Sequence, residues 1–263
     1  VERVTDHLGG GPDGRTPRQR FWQIRAGQVV LATGALERPL VFADNDRPGV
    51  MLASAVRTYA NRYAVKAGDR TVFFTTNDSA YATARDLADA GVEVAAIVDA
   101  RARGAAHGAL DGVQTERLLG HAVAAAEGAP LRSVQIGELN STGDGYSGQL
   151  RRIKCDLLCV SGGWTPTVHL HSQSRGQLAW REKIAAFVPT DSLQTQRSVG
   201  ACRGSFTLCE CLKEGARAGS EAAAAAGCAV HVEVDTPACP EEEPAPMHAA
   251  WRRSPFHRDR KST

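Results

Sequence analysis

The sequence has no strong excess of charge of either sign. Its 31 Lys and Arg stand against 29 Asp and Glu, a formal net charge of +2 over 263 residues. A nucleic-acid-binding surface draws on a marked basic excess, so none is expected. No apolar run approaches the ~18 residues that a bilayer-crossing helix needs, and no membrane segment is expected. Val1-Glu2-Arg3-Val4 shows neither the basic nor the apolar region of a secretory leader. The cysteines number seven, an odd count scattered along the chain, which suits reduced thiols in a cytoplasm better than a disulfide framework. There is no G-x-S-x-G, P-loop or H-E-x-x-H, and no internal repeat. There is also no C-x-x-C pair, so the dithiol chemistry of a disulfide reductase has no residues to run on.

One further absence shapes the reading. Val29-Val30-Leu31-Ala32-Thr33-Gly34-Ala35 reads as a buried strand delivering the chain to the edge of a nucleotide site. The glycine-rich turn that opens such a site belongs well upstream. Residues 1–28 hold no G-x-G-x-x-G, and Gly9-Gly10-Gly11 sits in a polar turn with no strand before it. The expectation is part of a nucleotide-binding fold, acting within something larger.

Hydrophobic residues make up 43% and charged residues 23%, ordinary values for a soluble globular chain of a size that buries a sizeable core. Arg20–Arg25 alternates like a half-buried strand. The spacing predicts a helix over 50–64, with Val50, Ala53, Val56, Tyr59 and Ala60 sharing a face. A β-α-β unit follows: strand 71–75, a helix over 80–90 capped by Asp78 or Ser79 and stopped at Gly91, and strand 92–99. Such units build α/β sheets covered on both faces. Residues 101–117 are polar and Gly-rich and are not placed. His121–Glu127 is Ala-rich, which favours helix by propensity, while its short span between glycines allows a strand. Residues 131–139 and 149–153 alternate around Gly143-Asp144-Gly145, a hairpin pattern. A buried strand over 155–160, a strand within 193–198 and a small-residue helix over 208–226 complete the series. The tail from 229 reads as disordered.

Three corners carry candidate chemistry. At Ala32-Thr33-Gly34, small residues let the backbone approach a phosphate or ring, glycine having no Cβ to block it; an ordinary strand and turn is the alternative. Thr75-Thr76-Asn77-Asp78-Ser79-Ala80 stands where a Rossmann G-x-G-x-x-G/A belongs, yet only Ala80 obeys the pattern. Asp78 brings negative charge to the place of a pyrophosphate, and Asp99 matches the ribose-binding acid by position. A retained scaffold that no longer holds a dinucleotide is the favoured reading there. Gly200-Ala201 precedes a helix whose N-terminus would face phosphate, with Glu214–Gly219 allowing close packing; a tightly packed helix is the alternative. Cys155 and Cys159 are expected to point the same way from a strand as buried inert thiols. Cys209 and Cys211 fit no metal set, and His169 and His171 are expected on the surface.

Several stretches together resemble the alpha subunit of heterotetrameric sarcosine oxidase: Ala32–Pro39, Asn45–Val50, Asn77–Tyr81, Cys155-Asp156 with Val160–Pro166, and Phe187-Val188-Pro189. The likeness runs over roughly residues 20–228. It implies an α/β fold of thioredoxin-reductase-like, Rossmann-type dinucleotide-binding folds, the first without its N-terminal β-α-β half. It implies residues 1–66 as the C-terminal part of the first nucleotide-binding fold and 67–165 as a second, degenerate Rossmann-like domain with a β-hairpin. Residues 166–228 return to the first fold, and 229–263 form the tail. It implies NAD bound by Thr33, Gly34, Gly200 and Ala201, with Phe206 and Leu208 touching the same cofactor. FAD and FMN belong to the complex and are not held by this chain alone, the partners being beta, gamma and delta subunits. The complex oxidises sarcosine to glycine, formaldehyde and hydrogen peroxide, and a folate-binding domain lies further along the family's alpha subunit. No general base or nucleophile is assignable here, so no complete active site is expected. A free-standing FAD/NAD(P)-dependent oxidoreductase and a non-catalytic scaffold subunit are the alternatives.

Overall fold

A computed structural model describes residues 2–3, 19–101, 110, 112–228, 234–239 and 247. Two short strands, β1 (Glu2–Arg3) and β2 (Gln19–Arg20), pair antiparallel. β3 (Val29–Leu31) and β4 (Ala35–Glu37) follow, separated by Ala32-Thr33-Gly34. β5 (Val50–Leu52) runs directly into α1 (Ala53–Tyr63). Then come β6 (Arg70–Thr75), α2 (Ser79–Asp89) and β7 (Glu93–Asp99). β8 (Glu116–Leu119), β9 (His121–Glu127), β10 (Ser133–Leu139), β11 (Tyr146–Lys154) and β12 (Leu157–Ser161) succeed them. The remainder holds β13 (Trp164–Pro166), α3 (His169–Gln173), β14 (Leu178–Arg181), β15 (Ala186–Pro189) and β16 (Gln196–Ser198). A 3-10 turn at Gly200–Arg203 leads to α4 (Leu208–Ala225).

Five strands form one parallel sheet in the order β5-β12-β6-β7-β8. Successive side chains of a strand point to opposite faces, and parallel sheets bury both. Phe73, Ile97, Leu157 and Cys159 face the helices and meet Val56, Tyr81, Ala84 and Leu87. Val72, Phe74, Val98, Leu158 and Val160 face the other way, onto Val123, Val134 and Ile136 of the three-stranded antiparallel sheet β11-β10-β9. The result is three layers with apolar contact on both sides of the central sheet. Each fully buried Val, Leu, Ile or Phe contributes about 1.5–3 kcal/mol. Outside these layers β3 pairs in parallel with β16, Leu31 opposite Ser198. β4 pairs antiparallel with β13, and β14 with β15.

The β-α-β unit, the hairpin and the last helix fall where periodicity places them. Several details differ. Arg20–Arg25 is strand only to Arg20, and Phe21, Trp22 and Ile24 beyond it are exposed. The strand from Val29 ends at Leu31, and Val29 and Val30 are exposed instead of buried. Val50–Leu52, expected to begin a helix, is an edge strand, because pairing with β12 satisfies its backbone before α1 starts. His121–Glu127 is a strand despite its alanines, since pairing with β10 outweighs a propensity of a few tenths of a kcal/mol per residue. At α2 neither Asp78 nor Ser79 supplies a side-chain cap; Asn77 Oδ1 accepts from the Ser79 amide at 3.1 Å and the Ser79 hydroxyl at 2.5 Å. Cys155 precedes β12 and faces the antiparallel sheet, while Cys159 faces the helices, so the two do not point the same way. Both are buried as expected. His171 is not a surface residue: it is 2% exposed, with Nε2 3.0 Å from the Gln177 carbonyl. The expectations for Gly9-Gly10-Gly11 and for most of the tail lie outside the described residues.

Candidate functional site

β3 and β16 run in the same direction side by side, so Ala32-Thr33-Gly34 and Val199-Gly200-Ala201 leave the sheet at the same, carboxyl end. In α/β sheets that end is where ligands bind. The Val199 amide donates to the Leu31 carbonyl at 2.9 Å, and Cys202 Sγ lies 3.1 Å from the same oxygen, fastening the two exits together. Gly34 has φ +75° and Gly200 φ +66°, the left-handed region where a Cβ is strained. A Cβ built on Gly34 meets nothing within 4 Å, so the space before it is open.

The other expected contacts divide. The Thr33 hydroxyl donates to the Thr167 carbonyl at 2.6 Å, and the Thr167 amide donates to Gly34 O at 3.0 Å. Thr33 therefore joins β3 to the segment after β13. Ala201 stays beside Gly200 in the 3-10 turn. Phe206 packs on Ile184, Ala186 and Val188, while Leu208 opens α4 with 68% of its surface exposed. The fold brings Gly34, Gly200 and Ala201 to one corner, turns Phe206 into a small apolar cluster and leaves Leu208 open.

Two glutamates alter the charge of this corner. The Gly200 amide donates to Glu214 Oε2 at 2.8 Å, and the Ser205 hydroxyl donates to Glu214 Oε1 at 2.7 Å. Thr207 and Glu210 form a capping box at the start of α4, the Glu210 amide donating to Thr207 Oγ1 at 3.2 Å. A carboxylate thus occupies the first turn of the helix expected to face phosphate, and it repels an anion there. Burial, then Glu214 and Glu210, raise the neighbouring Cys211 thiol above its ordinary value.

The equivalent corner of the five-stranded sheet is closed. Thr75 Oγ1 donates to Asn77 O at 2.8 Å and accepts from the Asn77 amide at 3.1 Å. Asn77 Nδ2 donates to Ser161 O and to Ser161 Oγ, each at 3.1 Å, tying the ends of β6 and β12 together. Asp99 is fully buried. It accepts from Tyr81 Oη at 3.0 Å, from Arg101 Nε at 3.0 Å and from Arg101 Nη2 at 2.7 Å. Arg101, itself 2% exposed, also pairs with Asp78. Burial opposes the guanidinium's charge, but the bonds and charge of Asp99 and then Asp78 outweigh it and raise its pKa. Burial and then Asp99 raise the Tyr81 phenol as well. The acid in the ribose-binding position is spent on Arg101. That residue escaped the sequence reading because it stands in the unplaced stretch 101–117. Its one signal was a basic residue two positions after a strand-ending aspartate.

Among the described residues no group of three or more His, Cys, Asp or Glu is placed to hold a metal, and no helix is long and apolar enough to cross a membrane.

An α/β chain with glycine turns at the carboxyl ends of parallel strands is of the thioredoxin-reductase-like, Rossmann-type class. Solved structures agree on the fold. Thioredoxin reductase of T. acidophilum superposes with a TM-score of 0.57 at 16% identity, over 76% of this chain and 65% of that one. The Lactococcus lactis thioredoxin reductase gives 0.57 at 15% identity, over 76% and 66%. No protein-family model matches the chain. Sequence comparison narrows the class. Sarcosine oxidase subunit alpha of Corynebacterium sp. (strain P-1) is 46% identical over 231 residues, 86% of this chain and 24% of that subunit. The Rhizobium meliloti (strain 1021) subunit is 39% identical over 218 residues, 82% and 21%. The chain is a relative of the sarcosine oxidase alpha subunits and spans about a quarter of their length.

Proposed function

We propose that this chain is the NAD-binding portion of a sarcosine oxidase alpha subunit, with no complete active site of its own. The observation that carries the reading is the shared carboxyl-end corner of β3 and β16, where Gly34 and Gly200 leave the backbone approachable. Identities of 39–46% to subunits of that name support it. Gly34, Gly200 and Ala201 then receive the cofactor's ring and ribose, with Thr33, Phe206 and Leu208 around them. The phosphate contacts fall to parts of the longer relatives outside this span, in keeping with Glu210 and Glu214 here. NAD supplies hydride-transfer chemistry when bound; this chain contributes the floor on which it rests.

The reading keeps 1–66 and 166–228 as one nucleotide-binding fold, 67–165 as a degenerate second one and 229–263 as a tail. It places the chain in a cytoplasmic complex with beta, gamma and delta subunits that demethylates sarcosine, with FAD and FMN held outside this chain alone. A second reading, a non-catalytic scaffold, is favoured by one observation: Glu214 already occupies the Gly200 amide.

Equilibrium dialysis of the chain against NAD and FAD separates the readings. NAD retained only above micromolar concentrations, without FAD, is the expected result. Retention of neither favours the scaffold. FAD retention favours a free-standing flavoenzyme and overturns the proposal.

A further inference from the structure

A polar cleft of about 470 Å³ lies between β16, α4, α3 and the loop that follows β15. Neither Gly34 nor Gly200 lines it, and it is independent of the dinucleotide reading. Three guanidinium groups from three different elements border it: Arg197 on β16, Arg203 at the end of the 3-10 turn and Arg217 on α4. Two carboxylates stand among them, Asp191 and Glu221.

The charges do not cancel. Arg197 is held by Glu221 at 2.6 Å, and Arg217 lies only within 3.9 Å of the same carboxylate. Arg203 makes no hydrogen bond or ion pair through its side chain among the described residues, and neither does Asp191. Like charges gathered around one cleft repel unless an anion sits among them. The strand at the wall also has donors to spare: Gln196 Nε2 and Arg197 Nε are buried without a hydrogen-bond partner. Unpaired buried donors are uncommon in folded chains and mark where an acceptor is missing. Part of the wall is packed. His171 is buried, its ring fixed by Gln177 O at 3.0 Å and Ser198 Oγ at 3.3 Å, and Val199 and Ala218 are buried beside it.

We propose that this cleft binds a small oxyanion, a carboxylate or a phosphate, through Arg203 and Arg217, with Asp191 accepting from a donor group on the same ligand. A planar guanidinium offers paired N–H groups that match either oxyanion. Asp191, whose side chain has no partner among the described residues, selects a ligand that is not anionic throughout.

Isothermal titration of the full 263-residue chain with inorganic phosphate, acetate, glycine and methylammonium tests the proposal. At least one oxyanion should saturate in the millimolar range, and methylammonium should not. Arg203→Met should weaken that binding at least tenfold and Arg217→Met about threefold. Arg203 is exposed and its side chain bonds to nothing among the described residues, so its variant should keep the parent circular dichroism. Glycine binding tighter than acetate, with the advantage lost in Asp191→Asn, identifies the carboxylate source with its donor. Phosphate binding tighter than both identifies the phosphate source. The proposal fails if no oxyanion saturates, if binding survives Arg203→Met in a folded protein, or if methylammonium binds as well as the anions.

Discussion

The two carboxyl-end corners of this molecule have opposite chemistry on related scaffolds. Where β3 and β16 end, the chain places Gly34 and Gly200 in left-handed conformations and leaves space in front of Gly34. Where β6 and β7 end, it places Thr75, Asn77, Asp78 and Asp99, and Arg101 folds back to pair with both acids. The backbone frame that makes a nucleotide site does not by itself make one. What decides is whether the strand ends are left bare for a ligand or satisfied by the chain's own side chains.

That contrast is broken most sharply at Arg101. Removing one partner of a buried ion pair leaves an uncompensated charge, a loss of about 3–5 kcal/mol. Arg101→Met should therefore lower stability in urea by about that amount, and adding Asp99→Asn should recover at least half. A loss under about 1 kcal/mol would mean that the closed corner is not held by these charges. The open corner has its own test in Gly34→Val. A β-branched residue in the left-handed region costs about 1–3 kcal/mol, and it fills the space before the strand end. NAD affinity should fall at least tenfold, whereas Asn77→Ala at the closed corner should leave it unchanged in equilibrium dialysis.

The thiols sharpen the comparison between layers. Burial pushes Cys155 and Cys159 up to about 12 from an ordinary 9.0. The unfolded chain ionises both near pH 9, and the folded chain holds their protons until about 12. Stability contributed by these groups is present below pH 9 and is lost as pH rises from 9 toward 12. The urea midpoint should be lower at pH 10.5 than at pH 8.5, and Cys159→Ala, though less stable throughout, should narrow that difference. The smallest effect belongs to Leu208. With most of its side chain in solvent, Leu208→Ala should change stability by less than about 0.5 kcal/mol. A few-fold loss of NAD affinity in that variant would place it at the cofactor, and no loss would leave Leu208 outside the site.

The sequence was legible where local pattern and tertiary demand coincide. Val72–Thr75, the α2 face with Ala84 and Leu87, and the hairpin around Gly143-Asp144-Gly145 were readable because period and burial agree. Val50–Leu52 and His121–Glu127 were not, because β12 and β10 supply backbone partners that no local pattern announces. At the candidate site, Gly34 was visible as a glycine after an apolar strand and Gly200 as a glycine before a small-residue helix. Glu214 and Arg101 were not, since folding brings Glu214 to Gly200, 14 positions away, and Arg101 to Asp78, 23 positions away. Thr33 and Phe206 read as cofactor contacts, while the fold uses the Thr33 hydroxyl on Thr167 and packs Phe206 on Ile184.

Hydrogen exchange of the chain with and without millimolar NAD tests the central claim most directly. Added cofactor should slow exchange at residues 32–34 and 199–206 and leave 75–80 and 99–101 unchanged. Slowing at 75–80 and 99–101, with none at 32–34, would contradict it.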